Sequence, residues 1–205
     1  MARDRSPIVK QSRREGFALA PKAHKIMAKK TGIPGQHGDK PQRGRGLYLT
    51  QLREKQKVRR LYGLLEKQFA KLVKDAQRAE GLTGEKLLEF LERRADNAVF
   101  RAGFATTRRA ARQLVSHGHF TLNGHRIDIP SIRLSAGDVL EVRAKSQKTE
   151  YFKNLGNIVA TNPGAPLSWL KADAGKMKIE ITSAPKREEA EVGINEQLIV
   201  EYYSR

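Results

Sequence analysis

The chain has 205 residues, enough for one large domain or two small ones, and its 40 Lys and Arg against 22 Asp and Glu leave a formal net charge of +18. Such a chain repels itself unless it sits on a polyanion. With no cysteine it excludes disulfides, thiolate metal sites and a cysteine nucleophile, and no stretch approaches the roughly 20 apolar residues of a membrane span, so a soluble, cytoplasmic protein is expected.

The charge is unevenly placed. Residues 1–60 carry +13, 61–92 carry −1, 93–126 carry +6 and 127–205 carry 0. Two basic segments alternating with two neutral ones suit a protein that grips phosphate through chosen surfaces.

Residues 1–46 hold scattered Lys, Arg, Gly and Pro with little hydrophobic periodicity, ending in Lys29-Lys30-Thr31-Gly32-Ile33-Pro34-Gly35-Gln36-His37-Gly38 and Arg43-Gly44-Arg45-Gly46. They predict a basic extended arm with short turns, loosely ordered when free and ordered by RNA; composition alone fits a disordered tail equally well. Its candidate RNA contacts are Lys29, Lys30, Gln36, His37, Arg43 and Arg45.

From Thr50 the spacing becomes helical, with Leu52, Val58, Leu61, Leu64, Leu65, Phe69, Leu72 and Val73 on one apolar side. Arg53, Lys57, Arg59 and Arg60 are the candidate contacts there. Gly81-Leu82-Thr83-Gly84 breaks the pattern before a second helical run, where Leu87, Leu88, Leu91, Ala95, Ala98, Val99 and Ala102 recur until Gly103 ends or bends it.

Thr106 or Thr107 suits the N-cap of a helix from Arg108 to His117, and Gly118 supplies a left-handed stop. The period then drops to two: Phe120 and Leu122 precede Asn123-Gly124, and Ile127 and Ile129 follow, which predicts a tight hairpin. Val139-Leu140-Glu141-Val142 and Lys178-Ile179-Glu180-Ile181 predict strands, Asn162-Pro163-Gly164 a turn, and Ser168-Trp169-Leu170 a buried anchor. The tail from Asn195 to Tyr203 fits either a helix or a strand, and the fold class is α+β.

The informative stretch is Arg93 to Pro130: a helix, a short turn, an Arg-rich helix and a hairpin. Arg108 and Arg112 stand four residues apart and Arg109 and Arg112 three apart, so all three project from adjoining positions while Ala110, Ala111, Leu114 and Val115 face the core. Arginine suits RNA because its planar fork bonds phosphate bidentately and also stacks on exposed bases. The candidate contacts are Arg94, Arg101, Thr106, Arg108, Arg109, Arg112, Gln113, Ser116, His117, His119, Asn123 and Arg126. A basic helical face alone is more often solvated surface; two basic segments and a Gly-rich arm together point to nucleic acid.

The run Arg94-Ala95-Asp96-Asn97-Ala98-Val99-Phe100-Arg101-Ala102-Gly103-Phe104-Ala105-Thr106-Thr107-Arg108, followed by Ala111-Arg112-Gln113-Leu114-Val115-Ser116-His117-Gly118-His119 and Asn123-Gly124, resembles the S-four-type RNA-binding module. That module also occurs in pseudouridine synthases, some tRNA synthetases and heat-shock RNA binders. The flanks Pro34-Gly35-Gln36-His37-Gly38, Leu61 to Phe69 and Ile194 to Tyr203 are similar to the S-four family of bacterial-type small-subunit ribosomal proteins, and the resemblance spans nearly the whole chain. It implies a basic arm at 1–46, a helical domain at 47–92 completed by 190–205, and an α/β RNA-binding domain at 93–189 with its core at 93–145. It further implies a structural constituent of the small ribosomal subunit that binds small-subunit ribosomal RNA, acts early in assembly and touches neighbouring small-subunit proteins. A place near the messenger RNA entry channel, an influence on decoding accuracy and, in some bacteria, repression of its own messenger belong to the same expectation, in a cytoplasmic or organellar ribosome. Ala95 stands where many relatives carry Leu, and the four cysteines that bind zinc in some members are missing, so neither metal nor other cofactor is expected.

Three rival readings differ in kind. An enzyme of RNA modification or ligation carrying this module needs another domain for which no length remains, and Asp96 has no second carboxylate nearby in sequence; its plainer role is capping or pairing with a neighbouring Arg, and a stress RNA binder built on the same module is a further alternative. A DNA-binding helix-turn-helix is imitated locally by the two helices around Gly103-Phe104-Ala105. His117 and His119 without a third spaced ligand are a weak metal signal, better read as cations at a helix terminus.

Overall fold

Glycines in the left-handed region and a few capping groups divide the chain into short elements. The computed structural model describes residues 4–30, 32–36, 38, 46–161 and 167–204. These form two compact units, Met1–Leu87 with Val192–Arg205, and Leu88–Glu191.

In the first unit the basic N-terminal segment is not simply extended: it holds α1 (Ile8–Glu15) and α2 (Pro21–Lys29). Gly16, at φ 66°, ends α1, and Pro21 opens α2 where its missing N–H costs nothing. Ser12 ties the turn between them, its Oγ donating to the Ile8 carbonyl at 2.8 Å and accepting from the Leu19 N–H at 3.2 Å. Two helices of two turns each are shorter than the window in which periodicity can be read, so the sequence showed only scattered cations.

The single helical run expected from Thr50 to Val73 is two helices, α3 (Leu47–Leu61) and α4 (Glu66–Arg78). Gly63 turns the chain at φ 66°, and the Leu64 N–H donates back to the Arg59 carbonyl at 2.9 Å. The apolar spacing continues through the break, and Val58, Leu61, Leu64, Phe69, Leu72 and Val73 are all buried. α5 (Thr83–Glu92) follows.

In the second unit the long run ending at Gly103 is likewise interrupted, because Arg94 adopts extended backbone and bridges Arg133. α6 (Ala95–Arg101) then begins with the Ala95 and Asp96 N–H groups donating to the Ile132 and Pro130 carbonyls at 2.9 and 3.1 Å. Gly103 at φ 77° turns the chain, and Thr107 caps α7 (Arg108–Ser116), its Oγ1 accepting from the Ala110 N–H at 3.1 Å. Gly118, at φ 71°, leads into β1 (Phe120–Leu122) and β2 (His125–Ile127). Asn123 and Gly124, at φ 49° and 85°, supply the two left-handed positions of the hairpin turn. β2 stops at Ile127, short of Ile129, which is exposed.

β3 (Val139–Val142) is followed by the single-turn helices α8 (Ala144–Gln147) and α9 (Glu150–Lys153), then α10 (Leu155–Thr161). β4 (Leu170–Asp173) and β5 (Lys178–Ile181) complete an antiparallel sheet in the order β2-β1-β3-β5-β4. Leu140, Val142, Ile179 and Ile181 point inward while Glu141, Lys178 and Glu180 point out. One core gathers these with Val99, Phe104, Ala111, Val115, Phe120, Phe152 and Trp169, so the sequence's buried anchor is Trp169. The expected turn at Asn162-Pro163-Gly164 lies outside the described residues.

The C-terminal tail is a helix, α11 (Glu196–Tyr203), capped by Asn195, whose Oδ1 accepts from the Gln197 N–H at 3.1 Å. It belongs to the first unit, where it packs on α3. Ile199 is buried there, and the Gln51 amide donates to Glu201 at 2.7 Å. Lys55, 4% exposed, donates to Glu66 at 2.8 Å, and the Tyr203 hydroxyl donates to the same carboxylate at 2.7 Å. Burial and the Glu66 carboxylate push the Tyr203 phenol pKa up. The carboxyl of Glu66 is itself held below its ordinary value: partial burial raises it, and the bonds from Lys55 and Tyr203 outweigh that. Among the described residues no helix is long and apolar enough to cross a membrane.

Candidate nucleic-acid interface

α6, the turn at Gly103, α7 and the β1-β2 hairpin bring most of the predicted contacts of the second unit together, but on two different faces. Arg94, 3% exposed, forms a bidentate pair with Asp96, 5% exposed, at 3.0 and 2.8 Å. Arg112 reaches the same carboxylate at 3.4 Å. Arg101 pairs bidentately with buried Glu92 at 2.9 and 2.7 Å, and Glu92 also accepts from the Asn97 amide at 2.7 Å. Arg108 donates to Asn97 Oδ1 at 2.9 Å and to Glu191 at 2.6 Å, its guanidinium 4.5 Å from the Phe100 ring centroid.

The inner layer therefore sets the cations Arg94, Arg101, Arg108 and Arg112 against the carboxylates Glu92, Asp96 and Glu191. Its geometry serves to lock α6 to α7 and to fix the guanidinium planes. This revises the expectation that Arg108, Arg109 and Arg112 project side by side toward a ligand. Positions 108 and 112 lie on the α6 side of α7, where the carboxylates are, while 109 lies about 100° round from 108 and about 60° from 112.

The outward face of α7 carries Arg109, Gln113 and His117, spaced at i, i+4 and i+8 and all exposed. Ser116 lies beside them with its hydroxyl donated to the Arg112 carbonyl at 2.7 Å, and Thr106 is exposed at the turn before the helix. Arg126 of β2 is exposed as a residue, with its guanidinium packed over Gly118, where a Cβ would come within 2.6 Å of Nε. His119 is half-buried against Phe152, its Nδ1 3.0 Å from Ser146 Oγ. Partial burial lowers its pKa, with His117 and Arg143 adding like-charge repulsion. Asn123 has a turn role: its amide bonds Asp138 at 2.9 Å and its Oδ1 accepts from the Val139 N–H at 2.9 Å.

In the first unit, Arg53 and Arg60 both reach Glu15, Lys57 bonds Glu54 at 2.7 Å and the Gly193 carbonyl at 2.6 Å, and Arg59 bonds Gln56 at 2.8 Å. These predicted contacts are thus engaged within the unit. Burial raises the Glu15 pKa against the pull of Arg53 and Arg60. Lys29, Lys30 and Gln36 are exposed, whereas His37, Arg43 and Arg45 lie outside the described residues.

Sequence reasoning passed over Lys10 and Arg14, exposed on α1, and Arg143, which donates to the Gly118 carbonyl at 3.0 Å. The signal for the first two was their i, i+4 spacing, which counts only once the segment is recognised as helix.

The family model described as Ribosomal protein S4/S9 N-terminal domain matches residues 3–92, and the S4 domain model matches residues 93–140. The chain is 51% identical to Small ribosomal subunit protein uS4 of Herpetosiphon aurantiacus over 211 residues, covering 100% of both chains. It is 48% identical to the protein of that name from Chloroflexus aurantiacus over 206 residues and 46% identical to that from Chlorobium phaeobacteroides over 209, again across 100% of each chain. A match of this extent places the chain in the uS4 family of small ribosomal subunit proteins.

Proposed function

We propose that this chain is a structural constituent of the small ribosomal subunit that binds the subunit's folded RNA directly and performs no chemistry. The observation that carries the reading is the outward strip of Arg109, Gln113 and His117 on α7, with Arg126 of the hairpin packed over Gly118, on a frame whose inner arginines are matched by carboxylates. Mixed cationic and amide groups on a rigid element suit recognition of RNA by shape, with contacts to phosphate and to exposed base edges. Family membership supports extending the reading to early assembly of the subunit and to contacts with neighbouring ribosomal proteins.

The competing reading is a helix-turn-helix that places α7 in a DNA major groove. The two are separated by measuring binding of the full chain to a small-subunit ribosomal RNA fragment and to duplex DNA of equal length at one stated salt concentration. RNA is expected to bind at least about tenfold more tightly, a difference of roughly 1.4 kcal/mol. Equal affinities would remove the ribosomal assignment of this surface.

A further inference from the structure

Asn123-Gly124 is the only place in the sequence where asparagine precedes glycine. The pairing carries chemistry of its own. The backbone nitrogen of a following residue can attack the asparagine Cγ, and glycine, with no Cβ, leaves that nitrogen least shielded. Asn97, Asn154, Asn157, Asn162 and Asn195 are each followed by a residue that has a Cβ: Ala, Leu, Ile, Pro and Glu. Both residues of the turn are exposed, and a Cβ built on Gly124 would meet no atom within 4 Å, so the turn is uncrowded and open to water.

Folding opposes the reaction. The Asn123 Oδ1 accepts from the Val139 N–H at 2.9 Å, its amide donates to Asp138 Oδ1 at 2.9 Å, and its own N–H donates to the Val139 carbonyl at 2.9 Å. These bonds hold the side chain toward β3, while the backbone of both turn residues is fixed at φ 49° and 85°. To close a cyclic imide on the Gly124 nitrogen, the amide must leave Asp138 and Val139 and turn back along its own backbone. The hairpin therefore has to open first, a local event that costs less than global unfolding.

From this geometry we infer that Asn123-Gly124 is a self-modifying site, a deamidation centre kept in check by its bonds to β3, so that the change accumulates in chains whose hairpin has opened. Water is the only co-reactant. The Gly124 nitrogen bonds to Asn123 Cγ, the Cγ–Nδ2 bond breaks, and the proton from Gly124 leaves with the amine as ammonia. Water then cleaves the imide, giving aspartate when the new Cγ–N bond breaks and isoaspartate when the original peptide C–N bond breaks; nothing is oxidised or reduced. The product undoes the fastening. A carboxylate at 123 has no N–H to give Asp138 and faces it as a like charge. Asp138 is itself tied, its Oδ2 accepting from the Ser135 N–H at 2.7 Å, so it cannot swing away without breaking that bond. Isoaspartate also lengthens the backbone of a turn whose register pairs Leu122 with His125.

The test incubates the full chain in mildly alkaline buffer beside a peptide of residues 119–128. Conversion of amide to acid at 123 is followed by peptide mass, and fragmentation tells isoaspartate from aspartate. The folded chain is expected to convert at Asn123 ahead of its other asparagines, and about ten- to a hundredfold more slowly than the peptide, because only its open fraction reacts. No conversion at 123 after about a hundred peptide half-lives, or conversion as fast as the peptide's, overturns the gated site. Asp138→Ala removes the acceptor of the amide and is expected to speed conversion several-fold, in step with hydrogen exchange of the Val139 N–H that bonds Asn123. Should that variant lose the circular dichroism of the parent, Leu122→Ala, which loosens the pairing of β1 with β3 and leaves the partners of Asn123 in place, makes the same comparison. Faster exchange with unchanged conversion overturns the gating. Asn123→Asp, the direct product, should melt at a lower temperature than the parent; an equal midpoint overturns the claim that modification unfastens the turn.

Discussion

Arg94 and Asp96 are both nearly inaccessible and share two hydrogen bonds at the start of α6, two residues apart. Taking two ions out of water costs several kcal/mol each, and their mutual attraction offsets that only while both are present. Asp96→Asn is therefore expected to destabilise the second unit by about 3–5 kcal/mol, read as a lower urea midpoint with the slope unchanged. A loss under about 1 kcal/mol would mean that the pair adds little to holding α6 in place. His119 offers a second measurement at this scale. Its pKa is depressed below the ordinary 6.5 by partial burial and then by His117 and Arg143. The folded chain thus binds fewer protons at this site than the unfolded chain in the interval just below pH 6.5, and stability falls as pH decreases through it. Titration of the His119 ring signal should give a midpoint below 6.5 that rises in His117→Gln, because one like charge is removed; an unmoved midpoint would leave burial and Arg143 as the only causes.

At the scale of elements, α7 separates a face paired with carboxylates from an exposed face that carries Arg109, Gln113 and His117. Arg109→Glu reverses an exposed charge and should weaken ribosomal RNA binding at least about tenfold. Arg108→Glu and Arg112→Glu instead set a carboxylate against Glu191 or Asp96, so thermal unfolding should move to lower temperature together with any loss of binding. If all three substitutions abolish binding with unaltered melting, the division between faces is mistaken. Gly118 joins α7 to the hairpin under a double constraint, a left-handed backbone and the Arg126 guanidinium in the space a Cβ would take. Gly118→Ala should cost at least about 1–2 kcal/mol from backbone conformation alone. Adding Arg126→Ala should recover the steric part and leave that remainder, which denaturation of the two variants resolves.

Across the whole molecule, the first unit depends on residues from both ends of the sequence: Gln51 meets Glu201, Glu54 accepts from the Asn195 N–H at 2.8 Å, and Glu66 meets Tyr203. Ile199→Ala, a large-to-small change at a buried position of α11, should destabilise this unit by about 2–5 kcal/mol. Amide exchange should report it first as lost protection along α3, and unchanged protection there would show that α11 is an appendage.

The sequence by itself determined the basic, cysteine-free composition, the α+β class, the turn at Asn123-Gly124, the stop at Gly118, and the strands at Val139–Val142 and Lys178–Ile181. These are local matters: left-handed backbone favours glycine or asparagine, and alternation over four residues reports which side of a strand is buried. Only the tertiary structure decided where the helical runs break, since Leu61 and Leu64, on either side of the left-handed turn at Gly63, are both buried and keep the apolar spacing across it. It also decided that the tail is a helix, where β-branched and aromatic residues left the choice open until α3 supplied a surface to pack against. Most consequentially, it decided which arginines face outward. A cation's spacing along a helix is written in the sequence, but whether it meets water or a carboxylate such as Glu191, 83 residues further along the chain from Arg108, depends on long-range folding.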